Sequence, residues 1–251
     1  MGHLSAPATP RAVGIVTGLK AEARLVRRAI ARQDLDVDIA VACAGPGPEC
    51  ALRAARMLIE DGAAALASVG LAGGLKPTAW PGMVIVARSV VAPDGTRYDT
   101  DAAWRTRLVA ALIGDDDVVE GGLCGADAPV LAAADKAALH AATGAHAVDT
   151  ESHAVAAAAA VAGIPFAAVR AVADGAGRSV PDGLARSVRA DGAIAPLVAL
   201  GWAAARPLRV GSLVGCALDA QRARDSLRRV LGAAGAVGGL AFADIGTGEK
   251  A

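Results

Sequence analysis

Ala12-Val13-Gly14-Ile15-Val16-Thr17, followed after Gly18 by residues 19–32, is the stretch whose reading decides the fold. The first six residues form a short apolar run of strand length, as expected of a strand covered on both faces. The period then changes. Leu19, Ala23, Val26 and Ile30 recur at helical spacing with Arg and Glu between them, which predicts an amphipathic helix. A buried strand that feeds directly into a helix is the building unit of an α/β sheet.

The alternation continues outward from this stretch. Residues 37–44 read as a second strand. Gly45-Pro46-Gly47-Pro48 reads as a turn, with Pro48 suited to the first turn of a helix that runs to about residue 61. Residues 64–70 form a third strand ending in Leu71-Ala72-Gly73-Gly74, and residues 82–91 a fourth. Residues 92–101 read as a polar loop, 104–113 as a helix, 118–123 as a strand and 131–141 as a helix. A short strand at 147–149 opens into a helix over 151–162, and 165–173 is the last strand. Residues 193–230 read as mostly helical, residues 1–11 as a polar tail and residues 232–251 as a glycine-rich flexible tail. The expected architecture is a single α/β domain over residues 1–251, with three layers, α/β/α, around a central mixed sheet.

Composition narrows the function classes. The chain of 251 residues is 54% hydrophobic and 20% charged, which fits a globular protein. Lys plus Arg and Asp plus Glu both number 25, so the formal net charge is zero and no bulk nucleic-acid partner is expected. Cys43, Cys50, Cys124 and Cys216 make no Cys-x-x-Cys pair and the histidines are scattered, so neither a metal site nor a cofactor is expected. No signal-peptide pattern opens the chain and no uncharged apolar run reaches membrane-spanning length, which points to a cytoplasmic protein. Leu208, Val210, Leu213, Val214, Leu218, Leu227 and Val230 lie among Arg206, Arg209, Arg222, Arg224, Arg228 and Arg229. That pattern suits either a helix packed on the core or peripheral contact with the inner face of a membrane.

Ligand sites of α/β sheets lie past the carboxyl ends of the strands. The polar and glycine residues expected there are Glu22, the turn at 45–48, the segment 70–74, Glu151 and Asp174. Read by themselves, Glu22 could be a solvated helix-face acid, Glu151 a helix-start acid favoured by the macrodipole, and Asp174 a turn cap.

Taken together, five segments resemble the nucleoside phosphorylase and nucleosidase superfamily, most closely its methylthioadenosine/S-adenosylhomocysteine nucleosidase branch. They are Val13-Gly14-Ile15-Val16-Thr17-Gly18-Leu19-Lys20-Ala21-Glu22, Ala44-Gly45-Pro46-Gly47, Val69-Gly70-Leu71-Ala72-Gly73-Gly74-Leu75, Val148-Asp149-Thr150-Glu151-Ser152 and Val169-Arg170-Ala171-Val172-Ala173-Asp174. Three further segments are similar to the hopanoid-associated phosphorylases within that superfamily: Gly125-Ala126-Asp127-Ala128-Pro129-Val130, Glu151-Ser152-His153-Ala154-Val155-Ala156 and Arg178-Ser179-Val180-Pro181.

The resemblance implies a bacterial enzyme, usually dimeric, that cleaves the N-glycosidic bond of a purine nucleoside. In the narrower group this would release adenine from adenosylhopane to give ribosylhopane. It implies that Glu22 activates water, that Asp174 protonates the purine, and that Glu151 holds the ribose hydroxyls. Thr150 stands where the nucleosidases place a methionine under the ribose, and Ala173 where they place a serine. Pro129 and Val130 stand near where an aromatic side chain would stack on adenine. Leu71 and Gly73 belong to the glycine-rich segment that lets backbone approach the ligand. Arg170 is expected as a structural ion-pair partner, His153 as a packing histidine, and Cys43 and Cys124 as core residues. The alternatives are a methylthioadenosine/S-adenosylhomocysteine nucleosidase and a phosphorylase using Arg24, Arg88 or Arg97 for phosphate. A non-catalytic nucleoside binder and a Rossmann dehydrogenase are more distant, the latter because residues 70–74 lack G-x-G-x-x-G spacing.

Overall fold

The computed structural model describes residues 12–33, 37–193, 195, 205 and 210–233. Its elements follow the order expected from the periodicities. These are β1 (Ala12–Val16), α1 (Lys20–Ile30), β2 (Ile39–Ala42), α2 (Pro48–Glu60), β3 (Ala63–Gly74), β4 (Val84–Val91), β5 (Arg97–Asp99) and α3 (Ala102–Ala111). There follow β6 (Val118–Gly125), α4 (Ala133–Thr143), β7 (Ala147–Asp149), α5 (Ser152–Ala162), β8 (Phe166–Asp174), α6 (Asp182–Ala185) and α7 (Val210–Gly232).

The eight strands form one mixed sheet in the order β2-β1-β3-β7-β6-β4-β5, with β8 paired to both β3 and β4. β1 runs parallel to β2 and β3, and β3 runs parallel to β8. The β4–β8 and β3–β7 pairs are antiparallel, which closes part of the sheet into a ring through β3, β8, β4, β6 and β7. Helices cover both faces. On one, Ala51, Ala54, Ala55 and Leu58 of α2 and Val155 and Ala159 of α5 pack over Val16, Leu66 and Ile85. On the other, Val26 of α1, Trp104 and Leu108 of α3 and Leu227 of α7 pack over Ile15, Ala67 and Val69. Adjacent residues of β3 thus serve opposite cores, so the strand reads as a continuous apolar run. The alanines matter here: small side chains let α2 and α5 lie close to the sheet and to each other.

Two segments differ from the sequence reading. The polar loop expected at 92–101 is a hairpin whose second arm is β5. Its tip is Pro93-Asp94-Gly95, where Thr96 N donates to Asp94 Oδ1 at 2.8 Å and Gly95 has φ +86°, a conformation that favours glycine. The glycine-rich residues 70–74, where the third strand was expected to end, belong to the strand itself. They continue β3 as extended strand and pair with β8 and β7. Glycine is needed because of what lies across from it. A Cβ at Gly70 would collide with Arg170 Nη1 and stand 2.9 Å from Glu22 Oε1.

Among the described residues the C-terminal helix covers Val210–Gly232, and so takes in Gly232, which had been assigned to the tail. Leu213, Leu227 and Val230 are core residues, whereas Val210, Val214 and Leu218 form an exposed apolar stripe. Arg222 pairs with Asp219 at 2.7 Å, and Arg229 pairs with Asp115 at 2.8 Å and Asp117 at 2.7 Å. Among the described residues no helix is long and apolar enough to cross a membrane. Arg206, Leu208, Arg209, the tail 1–11 and residues 234–251 lie outside the described residues.

Candidate active site

The carboxyl ends of β1, β3, β7 and β8 converge on a cavity of about 480 Å³. Glu22, Leu71, Gly73, Pro129, Val130, Thr150, Glu151 and Asp174, drawn from five separate stretches of sequence, all line it. Asp127 and Asp149 add two more carboxylates. No Lys or Arg is found among the described lining residues. Leu19, Leu131, Val180, Leu184 and Val188 make the rest of the wall strongly apolar.

Glu22 stands in the first turn of α1, immediately after β1. It is 3% exposed, so it is not a solvated helix-face acid. Its Oε2 accepts from Leu19 N at 2.9 Å, which caps the helix, and its Oε1 accepts from Leu71 N at 2.9 Å. Burial raises its pKa to about 7. The Arg170 charge pulls that value down, the neighbouring Glu151 pushes it up, and the Leu71 and Leu19 amides pull it down.

Glu151 precedes α5. Its Oε1 accepts from Gly47 N at 2.9 Å and from Thr150 Oγ1 at 2.6 Å, and its Oε2 lies 3.5 Å from Arg170 Nη2. Two glycines make this possible. Gly47, at φ +94°, turns its amide toward the carboxylate, and a Cβ at Gly18 would stand 2.9 Å from Glu151 Cδ. Thr150, in the place expected to lie under the ribose, spends its hydroxyl on Glu151.

Arg170 is fully buried on β8 and organises the site from below. It donates to Ser68 Oγ at 2.7 Å, Ser152 Oγ at 3.1 Å and Asp149 Oδ1 at 3.1 Å. Asp149 Oδ1 also accepts from the amides of Glu151 and Ser152, so the Asp149–Arg170 pair fixes the backbone that carries Glu151. Arg170 Nη1 is buried and has no hydrogen-bond partner, and it shares the space beside Gly70 with Glu22 Oε1.

Asp174 ends β8. Burial raises its pKa above the ordinary carboxylate value, the Lys136 ammonium hydrogen-bonded to it pulls it back, and Asp219 and Arg178 contribute further, upward and downward respectively. Lys136, Asp149 and Arg170 are the residues of this site that sequence reading passed over or left as scaffold. Asp149 had a signal, an acid two residues before Glu151 at a strand end. Lys136 had none, because a single lysine in a helix reads as a solvated charge.

Other expected residues lie elsewhere. Arg24 is exposed and outside the cavity, and Arg88 and Arg97 are outside it too, paired with Glu120 and Asp99 at 3.2 and 3.0 Å. His153 is 8% exposed and packs on Gly125, with Nε2 3.8 Å from Asp127 Oδ1. Cys124 is buried as expected; Cys43 is only half-buried, with its Sγ 3.7 Å from Gly18 O. Among the described residues no cluster could hold a metal ion.

The fold has close relatives among solved structures. The 5′-methylthioadenosine/S-adenosylhomocysteine nucleosidase of Campylobacter jejuni aligns with a TM-score of 0.64 at 15% identity, over 89% of this chain and 99% of that one. The S-adenosylhomocysteine nucleosidase of Streptococcus pyogenes aligns with a TM-score of 0.63 at 19% identity, over 91% and 98%. The futalosine hydrolase of Helicobacter pylori aligns with a TM-score of 0.60 at 18% identity, over 66% and 88%. At these identities the likeness establishes the fold, that of the nucleoside phosphorylases, with its central mixed sheet. No curated protein sequence matches the chain. The family model described as "Phosphorylase superfamily" matches residues 18–195, a span that contains all the cavity carboxylates and most of the sheet, and the chain therefore belongs to the phosphorylase superfamily.

Proposed function

We propose that the protein is an N-glycosidase that hydrolyses a purine nucleoside, with Glu22 activating water, Glu151 holding the ribose and Asp174 protonating the leaving base. The observation that carries this reading is the cavity's charge. Five carboxylates and no cation line it among the described residues, and Glu22 has a pKa of about 7. A carboxylate near neutrality is matched to taking a proton from water. A phosphate nucleophile would meet like charge at close range with no guanidinium on the cavity surface to offset it. Arg170, buried beside Glu22, sets a positive charge behind that carboxylate and lowers its pKa toward neutrality against the effect of burial.

Bond cleavage leaves positive charge on the sugar and negative charge on the purine. In this reading the negative charge of Glu151 and Glu22 favours the first, and Asp174, with its pKa raised, supplies the proton that relieves the second. Glu151→Gln is expected to lower kcat/KM roughly ten- to hundredfold, because a charge-assisted hydrogen bond contributes about 1.5–3 kcal/mol. Unchanged kcat/KM in steady-state assays would remove Glu151 from the site.

For the substrate we infer a purine nucleoside with a large apolar 5′-substituent, adenosylhopane in the reading that the sequence resemblance favours. The aliphatic wall of Leu131, Val180, Leu184 and Val188 supports it. The C. jejuni, S. pyogenes and H. pylori proteins named above suggest methylthioadenosine, S-adenosylhomocysteine and futalosine as the competing substrates. Incubation with adenosylhopane and with methylthioadenosine, followed by mass spectrometry of the products, decides between them. Release of adenine from methylthioadenosine alone would end the hopanoid reading. A lipid-linked substrate also gives the exposed Val210, Val214 and Leu218 of α7 a partner in a membrane surface. Co-sedimentation of the full chain with anionic liposomes, lost on Val214→Asp/Leu218→Asp, is the expected result; equal partition of both proteins would refute it. Pairing of two copies is part of the same reading and is checked by sedimentation velocity.

A further inference from the structure

Lys136 is the one described residue of α4 that is fully buried. A lysine is almost never fully buried unless it is paired, and this one has three acceptors. Its Nζ donates to Asp174 Oδ2, to Gly175 O at 3.2 Å and to Arg178 O at 2.9 Å. Three acceptors match the three donors of an ammonium. The helix that carries it is tied to the same stretch twice more: Ala133 N donates to Ser179 Oγ at 3.1 Å, and Val180 N donates to Leu131 O at 2.8 Å. Arg178 in turn reaches α7, with Nε 3.0 Å from Asp219 Oδ2.

We propose that Lys136 is the positioning residue of the acid: a buried ammonium on α4 that aims the Asp174 carboxyl into the cavity and clamps the turn 175–178 behind it. This rests on Asp174 being the group that protonates the leaving base. The physical consequence is twofold. One oxygen of Asp174 is fixed on Lys136, which leaves the other to face the cavity in a set orientation. The cation also opposes the effect of burial, which alone would hold Asp174 protonated too firmly to release its proton to a weakly basic purine nitrogen. The groups that face Asp174 are Lys136 from α4, Arg178 from the turn, and Asp219 and Cys216 from α7. Asp219 is itself held by Arg178 and Arg222, so Lys136 is the only one of these to donate directly to the carboxylate.

The test combines Lys136→Met with Asp174→Asn. In the wild-type background Lys136→Met is expected to lower kcat about tenfold or more; in the Asp174→Asn background it should cost less than about twofold, because its effect passes through Asp174. Independently of turnover, the Asp174 carboxyl resonance, followed by ¹³C NMR and assigned by its loss in Asp174→Asn, should titrate about one pH unit higher or more in Lys136→Met. Lys136→Gln serves for both measurements if the Met variant does not accumulate as folded protein. Equal losses in the two backgrounds with an unmoved Asp174 titration would show that Lys136 only supports the fold. A wild-type protein that cleaves no purine nucleoside would instead refute the proposed function, and the NMR titration would still report on the pair.

Discussion

Asp174→Asn is expected to fold as the wild type does and to lower kcat by about 10²–10⁴-fold, the usual contribution of a positioned general acid. The amide keeps the shape of the carboxyl and can still accept from Lys136, so β8 and the turn after it should keep their places. What it lacks is a proton to give. Adenine leaves poorly as an anion, and nothing else on the cavity wall among the described residues combines burial with a raised carboxyl pKa on the side of Asp174. KM should change little, because the loss belongs to the transition state and not to the bound nucleoside. If the purified variant retains more than about a tenth of the wild-type kcat, well short of that usual contribution, Asp174 is not the acid.

The second large effect is at Glu22. Glu22→Ala removes the buried carboxylate whose pKa lies near neutrality, so water should lose its base, and turnover should fall by about 10²–10⁴-fold. Nucleoside binding, measured by calorimetry, should persist because Glu151 and the apolar wall are untouched. In the wild type, kcat/KM should fall as pH drops below about 7, because a protonated Glu22 cannot accept a proton. Stability carries the same signature with its own sign. The folded pKa of Glu22 lies above its ordinary value of 4.5, so its contribution is full below about pH 4.5 and is lost as pH rises through about 7. The Tm of Glu22→Ala should therefore gain on that of the wild type between pH 5 and pH 8. A Tm difference that does not vary over that range would contradict the buried, titrating carboxylate.

Much of the architecture could be read in the sequence because its two periods are clean. Ala12–Val16 is a continuous apolar run, as a strand covered on both faces must be, Phe166–Asp174 is one interrupted only by Arg170 before it ends in Asp174, and Lys20–Ile30 alternates charge with aliphatic residues at helical spacing. The misreadings have local causes. Residues 70–74 look like the close of a strand because glycine usually marks one, but here glycine makes room for Arg170 and Glu22 within an extended strand. Residues 92–101 look like a loop because Pro93-Asp94-Gly95 dominates the window, although the same three residues are a hairpin tip. The eight cavity residues expected from the resemblance do converge, since each lies at or just past the carboxyl end of a strand or begins the next helix. Lys136 could not have been found that way. Its importance comes from the crossing of α4 with the turn after β8, 38 residues away in sequence, and no local pattern encodes that contact.

The central claim is that a purine nucleoside is opened by water at a carboxylate, not by phosphate. It is tested most directly by single-turnover cleavage of the nucleoside in phosphate-free H₂¹⁸O buffer, with mass spectrometry of the sugar product. The account predicts full activity without phosphate, one ¹⁸O atom at the anomeric position of the free sugar, and no change in rate or product when phosphate is added. Strict dependence on phosphate, with a ribose 1-phosphate product, would contradict it.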